Sequence, residues 1–248
     1  MFCSLCERII LIHLKLTFMK KNTFRALSIM LILSSCGSGE EKKVDSVSSK
    51  NETPSEQKNV VSNEEKIGSQ IWMTENLSVD KFRNGDPIPE AKTAEEWERA
   101  GKNKQPAWCS YNNDANNISK YGKLYNWYAV NDSRGLAPKG WHIPSDKEWN
   151  LLSNAADSNS VAVGLKSPNG WKNKANGSNS TGFNAIPGGF RFFVGGFGYE
   201  GEYAAFWSST TYNSLRSFHR YLNQSNKVNR DQDGFDNGGG CSVRCIKD

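Results

Sequence analysis

The sharpest constraint on what this chain can fold into is a break in composition at Ile67. All eight tryptophans and all eight tyrosines lie beyond it, whereas residues 37–66 hold no aromatic residue and are rich in Ser, Glu, Lys and Asn. A segment of the latter kind cannot bury enough apolar surface to offset the entropy of ordering its backbone. Residues 37–66 are therefore expected to be a disordered tether, and 67–248 one globular domain with a sizeable core. The formal net charge of +5 includes Lys20, Lys21 and Arg25, and the aromatic-rich part is close to balance. It carries no dense Lys/Arg stripe, which argues against a nucleic-acid partner.

Ahead of the tether, Met19-Lys20-Lys21-Asn22 precedes the apolar run from Ala26 to Leu33, then Ser34-Ser35-Cys36. A basic start, a short apolar stretch and small residues before a cysteine have the layout of an export signal; a spanning helix needs roughly 20 apolar residues. The run resembles a bacterial lipobox. That resemblance implies a signal peptide over 19–36, lipidation of Cys36, and a protein tethered to the outer membrane by acyl chains, in the cell envelope or exposed on its surface. Residues 1–18 add a second apolar patch and Cys3 and Cys6, none of which such a signal uses, so they read as an extension ahead of a start at Met19. The Cys3/Cys6 pair has no further ligand set and no βαβ setting.

Within the domain, Thr93 to Ala100 predicts a helix, with Thr93 as N-cap, Glu96 three residues on and Gly101 to close it. Tyr121 to Val130 predicts a second, with Tyr121, Leu124, Trp127 and Tyr128 on one face. Ser145 and Glu148 form a capping box for a third, whose buried stripe is expected to be Trp149, Leu151 and Leu152. Beyond Ala156 short strands are expected at 190–193, 204–208, 217–222 and 241–246, separated by Gly/Asn-rich turns. Helices first and strands after predict an α+β domain of two or three helices and an irregular antiparallel sheet.

Few residues suggest chemistry. His142 offers a general base or metal ligand on one reading and a buried histidine bonded to backbone on the other. The second is favoured, because no His-x-x-x-His or Glu-paired spacing accompanies it. His219 alternates along a strand and is expected to face solvent. Asp231, Asp233 and Asp236 supply oxygens near a glycine, as calcium requires, but no Glu closes the loop at EF-hand spacing, and Asp, Asn and Gly are also what tight turns select. The glycine–aromatic run from Gly188 to Tyr199 lacks the Gly-Lys-Ser/Thr of a phosphate loop. It reads as strands in close backbone approach, with an aromatic binding surface as the second reading, since exposed Tyr and Trp stack on sugars and peptides. The candidate ligand contacts are Trp207, Tyr212, Arg216 and Tyr221. Three cysteines, Cys109, Cys241 and Cys245, remain after export, and an oxidising compartment allows one disulfide among them. Cys241 and Cys245 would stand about 13 Å apart on an extended strand, too far to bridge. No base marks any of the three as a nucleophile.

The domain also resembles a known family. The matching stretches are Ile67-Gly68-Ser69-Gln70-Ile71-Trp72-Met73-Thr74-Glu75-Asn76-Leu77 and Tyr121-Gly122-Lys123-Leu124-Tyr125-Asn126-Trp127, then Pro138-Lys139-Gly140-Trp141-His142-Ile143-Pro144-Ser145 with Glu148-Trp149. Phe206-Trp207-Ser208-Ser209-Thr210 and Ser242-Val243-Arg244-Cys245-Ile246-Lys247-Asp248 complete the order. They resemble the Fibrobacter succinogenes major paralogous domain, widespread in Bacteroidetes lipoproteins. The resemblance implies a C-type-lectin-like fold related to the sulfatase-modifying-factor type, and a Cys109–Cys245 disulfide that leaves Cys241 over. It brings no catalytic residue, metal or cofactor. The expected function is a non-catalytic envelope or surface lipoprotein presenting a domain that binds glycan or protein. The alternatives are an enzyme or enzyme accessory acting on envelope polysaccharide and a purely structural envelope protein.

Overall fold

The computed structural model describes residues 64–155, 161–225 and 227–248. The extension at 1–18, the signal peptide at 19–36, the lipidation site Cys36 and all but the end of the tether lie outside the described residues. The end of the tether is corrected. Glu64–Ile67 is strand β1, paired antiparallel with β2, Gln70–Met73, through a turn at Gly68, so ordered structure starts before Ile67.

All three expected helices differ in detail from their prediction. Helix α1, Ala94–Lys102, starts as predicted: Glu96 N donates to Thr93 Oγ1 at 3.1 Å and Thr93 N to Glu96 Oε2 at 3.2 Å. It runs through Gly101 to a cap at Asn103, because Gly101 packs under Phe193, where a Cβ would come within 2.7 Å of the ring. Strand β3 is Trp108–Cys109. The single helix expected over 121–130 is instead helix α2, Ile118–Tyr121, strand β4, Leu124–Asn126, and helix α3, Trp127–Val130. Gly122 breaks it at φ +71, and Asn126, a better cap than helix interior, accepts from Ala129 N at 3.0 Å. Strand β5 is Trp141–His142. Helix α4, Asp146–Ala155, buries Trp149 and Leu152, but Leu151 points outward with half its surface exposed. Helix α5, Val161–Leu165, falls where only strands and turns were expected.

The strands that follow are β6 (Gly188–Arg191), β7 (Phe197–Glu200), β8 (Ala204–Thr211), β9 (Arg216–Leu222), β10 (Asn229–Arg230), β11 (Phe235–Asp236), β12 (Gly240–Cys241) and β13 (Ile246–Lys247). One four-stranded sheet runs β1-β2-β13-β5, so the first hairpin and the last strand share a sheet. A nine-stranded sheet runs β10-β9-β8-β6-β12-β4-β3, with β11 on β9 and β7 on β6. Its ladders are antiparallel apart from β6 with β8. Few short helices and mainly antiparallel sheets make this an α+β fold. The strand expected over 241–246 is two strands in two sheets, because the chain leaves β12 to carry Val243 to Cys245 through the core before β13.

Alternation along β8 sorts the core. Ala205 and Trp207 face one cluster with Tyr125, Trp127, Cys241 and Val243; Ala204 and Phe206 face another with Trp72, Trp149, Leu152 and Phe183. In the second cluster the Trp72 and Trp149 ring centroids stand 4.9 Å apart, and Phe183 and Phe206 5.7 Å apart. Arg244, fully buried, lies 4.6 Å over Phe183 and donates to Met73 O at 3.1 Å, to Phe183 O, and to Asn76 Oδ1 at 2.6 Å. Asn76 in turn donates to Tyr121 O at 2.8 Å and Ser242 Oγ at 3.2 Å. Burial lowers the Arg244 pKa to about 9, which still leaves the guanidinium charged at neutral pH. The stretches that carry the family resemblance thus meet at one buried hub. They specify the fold.

Candidate functional site

On the face of the large sheet that carries Phe190 and Tyr221, aromatic rings form a continuous strip. Phe190 lies 6.1 Å from Tyr203, Tyr203 5.3 Å from Tyr221, Tyr221 5.5 Å from His219, His219 5.0 Å from Phe235, and Phe235 5.4 Å from Phe190, closing a circuit. Phe192 at 5.1 Å and Tyr199 at 5.0 Å extend it past Phe190. Strand geometry explains the selection. Phe190 points to this face, while Arg191 points inward between Trp97 and Phe197 and donates to Ala91 O and Thr93 O at 3.0 and 2.8 Å. Gly189, at φ +66, lets β7 approach so closely that a Cβ would sit 2.2 Å from Gly198 O. Tyr199 is exposed, and Phe190, Phe192, Tyr203, Tyr221 and Phe235 are half-buried. Asp231 borders the strip, with Oδ2 3.6 Å from His219 Nε2; Glu200 instead accepts from Tyr121 Oη at 2.7 Å, in the cluster that holds Trp97 and Tyr111, and Glu202 stands 3.4 Å from Lys172 Nζ.

Of the four expected ligand contacts only Tyr221 belongs to this strip. Trp207 is fully buried beneath it, with its indole N–H on Tyr125 O at 2.7 Å and Phe235 at 5.6 Å, so the reading of Trp207 as a ligand contact is corrected: its ring is core. Tyr212, exposed, and Arg216, half-buried, lie at the opposite end of β9, at the β8–β9 hairpin tip beside Leu215 and Phe218. Phe190, Phe192, Tyr199 and Tyr203 were not singled out from sequence. The glycine–aromatic run from Gly188 to Tyr199 held the signal for Phe190, Phe192 and Tyr199, and its β6 and β7 strands do approach closely; Tyr203 lies outside that run.

His219 is also corrected. It is 5 % exposed, not solvent-facing, because the neighbouring β11 covers it with Phe235. Burial first and the Arg220 charge second lower its pKa to about 3. Asp231 Oδ2, at 3.6 Å from Nε2, favours the imidazolium, but beyond hydrogen-bond reach and partly solvated it does not reverse that direction.

His142 departs from the reading that gave it backbone partners. It is only partly buried, and both ring nitrogens face carboxylates: Nδ1 meets Asp248 Oδ1 at 2.8 Å and Nε2 meets Glu148 Oε1 at 3.0 Å. Burial opposes the charge, yet the two hydrogen bonds outweigh it and raise the His142 pKa. Glu148 Oε2 accepts from Ser145 N and Oγ, both at 2.7 Å. The sequence missed this because Asp248 arrives from 106 positions away. The neighbouring Asp146 is gripped by Arg220 and Arg230, at 2.8 and 2.9 Å, which staples the start of α4 to β9 and β10.

Asp236 Oδ1 accepts from Gly238 N at 2.8 Å in a local turn. Among the described residues no group of three or more His, Cys, Asp or Glu is placed to hold a metal ion, so Asp231, Asp233 and Asp236 do not form such a group. Cys109, Cys241 and Cys245 are buried free thiols. Cys109 packs with Trp97 and Tyr121 in one cluster and Cys245 with Tyr125 in another, so the Cys109–Cys245 disulfide is not formed here. Burial raises the Cys109 pKa to about 11 and the Cys245 pKa to about 12, far from a nucleophilic thiolate.

Two open clefts flank Pro106. One, of about 230 Å³, is lined by Lys104, Pro106, Trp127, Tyr128, Asn131, Asp132 and Ser133. The other, of about 220 Å³, lies between Pro89–Ala91 and the α1 residues Glu96, Arg99 and Ala100. Both are smaller than the 300–1,000 Å³ common for enclosed ligand pockets.

Comparison with known proteins gives one match. The family model described as the Fibrobacter succinogenes major domain matches residues 66–247. No curated protein and no solved structure matches the chain.

Proposed function

The chain belongs to the Fibrobacter succinogenes major domain family, and from that premise we propose that it is a non-catalytic, lipid-anchored envelope lipoprotein whose domain binds glycan through the aromatic strip. The observation that carries the reading is the circuit of Phe190, Tyr203, Tyr221, His219 and Phe235, with Tyr199 and Phe192 beside it. Such rings supply apolar area at low entropic cost. Tyr203 and Tyr221 have no hydrogen-bond partner for their hydroxyls among the described residues, and neither hydroxyl is buried, so both are available to a sugar. The Asp231 carboxylate beside the strip is an acceptor for sugar hydroxyls and repels anionic polymers, which favours a neutral glycan. A C-type-lectin-like assignment of the fold belongs to the same proposal, supported by the first hairpin and last strand sharing a sheet. Lipidation of Cys36 and the outer-membrane address rest on the sequence of the export signal.

The test is a glycan array probed with the full chain, then with Tyr203→Ala and Tyr221→Ala. Retention on neutral glycans that falls about tenfold or more in each variant supports the strip. A blank array alongside capture of a purified envelope protein would move the reading to a protein ligand. Binding that both variants leave intact overturns the site.

A further inference from the structure

The cleft between Pro106 and α3 has features the strip lacks, and it does not depend on the strip. Its two walls are fixed by one fully buried side chain. Asn126 donates through Nδ2 to Gln105 O at 2.7 Å and accepts at Oδ1 from Ala107 N and Ala129 N, both at 3.0 Å, so the 105–107 segment and α3 are held in register. Lys104, at the rim, adopts φ +54, a conformation uncommon for a side-chain-bearing residue and often found at binding sites. The polar groups lining the cleft divide into occupied and free. Asp132 is engaged by Arg134, Nε to Oδ1 and Nη2 to Oδ2, each at 2.8 Å, and Arg134 Nη1 also meets Asp86 Oδ2 at 3.3 Å, so one guanidinium is shared between two carboxylates. Lys104, Asn131, Ser133 and the Tyr128 hydroxyl have no side-chain hydrogen bond or ion pair among the described residues. One unpaired cation, three uncharged polar groups and the half-buried Tyr128 ring therefore border a space of about 230 Å³.

We propose that this cleft binds a single acidic sugar ring. A six-membered ring fits the volume where a chain buried along its length would not. Tyr128 offers an aromatic surface for the C–H face of the ring. Asn131, Ser133 and the Tyr128 hydroxyl match ring hydroxyls as both donors and acceptors, and the Lys104 ammonium takes the carboxylate in a charge-assisted bond. The pre-set walls mean that little ordering entropy opposes binding.

The experiment follows backbone amide shifts of the full chain on titration with glucuronate, glucose and acetate, repeated for Lys104→Gln and Tyr128→Ala. Glucuronate is expected to shift amides at 104–107 and 128–133 saturably, with glucose about tenfold weaker, and Lys104→Gln should abolish that preference. Tyr128→Ala should weaken both sugars while acetate remains weak throughout. Lys104 is exposed, so its variant keeps the wild-type spectrum elsewhere and serves as the folding control. Absence of saturable shifts at these amides, equal affinity for glucuronate and glucose, or equal affinity for glucuronate and acetate would each overturn the proposal. The strip reading survives any of these results, because its test reads Tyr203 and Tyr221.

Discussion

Acidification should destabilise the domain through His219, and the size of the effect follows from its burial. The ring is enclosed by Trp207, Tyr221 and Phe235, with Arg220 adjacent, and its pKa falls from 6.5 to about 3. Between those values the unfolded chain binds a proton that the folded chain does not, so stability rises with pH in that window and is lost as pH falls through it. The slope is about 1.4 kcal/mol per pH unit, so moving from pH 6.5 to pH 4 costs about 3 kcal/mol at most. Carboxylates titrate in the same range, and the raised pKa of His142 acts with the opposite sign: its contribution is present below 6.5 and is lost as pH rises through its folded value. His219→Phe isolates the wanted contribution, because it fills the aromatic site without a titrating group and leaves the other charges in place. Urea unfolding of wild type and variant at pH 7, 6, 5 and 4 gives the difference directly. The wild type should lose about 3 kcal/mol more than the variant across the series. Parallel profiles, or a His219 C2–H resonance titrating near 6.5, would refute the reasoning.

Three further outcomes can be checked in the same protein. Gly189→Ala combines a left-handed backbone at φ +66 with a Cβ 2.2 Å from Gly198 O; it should lower stability by at least about 2 kcal/mol in thermal unfolding, and a neutral result would contradict the β6–β7 register. Arg244→Met leaves Met73 O, Asn76 Oδ1 and Phe183 O without their buried donor. It should cost about 3 kcal/mol or more in urea unfolding, and a loss below about 1 kcal/mol would mean the hub is dispensable. With burial raising their pKa values, Cys109, Cys241 and Cys245 should resist iodoacetamide at pH 8 in the folded protein and react in urea without reductant. Peptide mass mapping decides the point, since a Cys109–Cys245 bridge would leave both unlabelled until reduced.

Local signals were legible where a few neighbouring residues settle a conformation. The Thr93/Glu96 and Ser145/Glu148 boxes formed as their spacing required, and strands β8 and β9 fell within a few residues of the predicted segments. The reading failed where a distant partner decides. Leu151 and Leu152 look equivalent in a helix pattern, yet only Leu152 faces the Trp72–Trp149 cluster. Trp207 and Tyr221 both read as ligand aromatics, but strand pairing buried the first under Phe235 and left the second half-exposed. His142 acquired its carboxylates, and the cleft its second wall, only when segments far apart in the chain were brought together.

The sequence by itself determined that an aromatic-rich α+β domain follows an aromatic-free segment, and it determined the family, because those properties reside in composition and in ordered short motifs. Tertiary structure decided what the motifs are for. Arg244, Asn76, Trp72 and Trp149 converge from three stretches into one buried hub, so the residues that identify the family are spent on the fold. The residues left facing solvent in the strip and beside Pro106 were chosen by strand alternation and loop placement, which depend on pairing register. A one-residue change of register reverses which side chain faces out, and no local stretch of sequence encodes that choice.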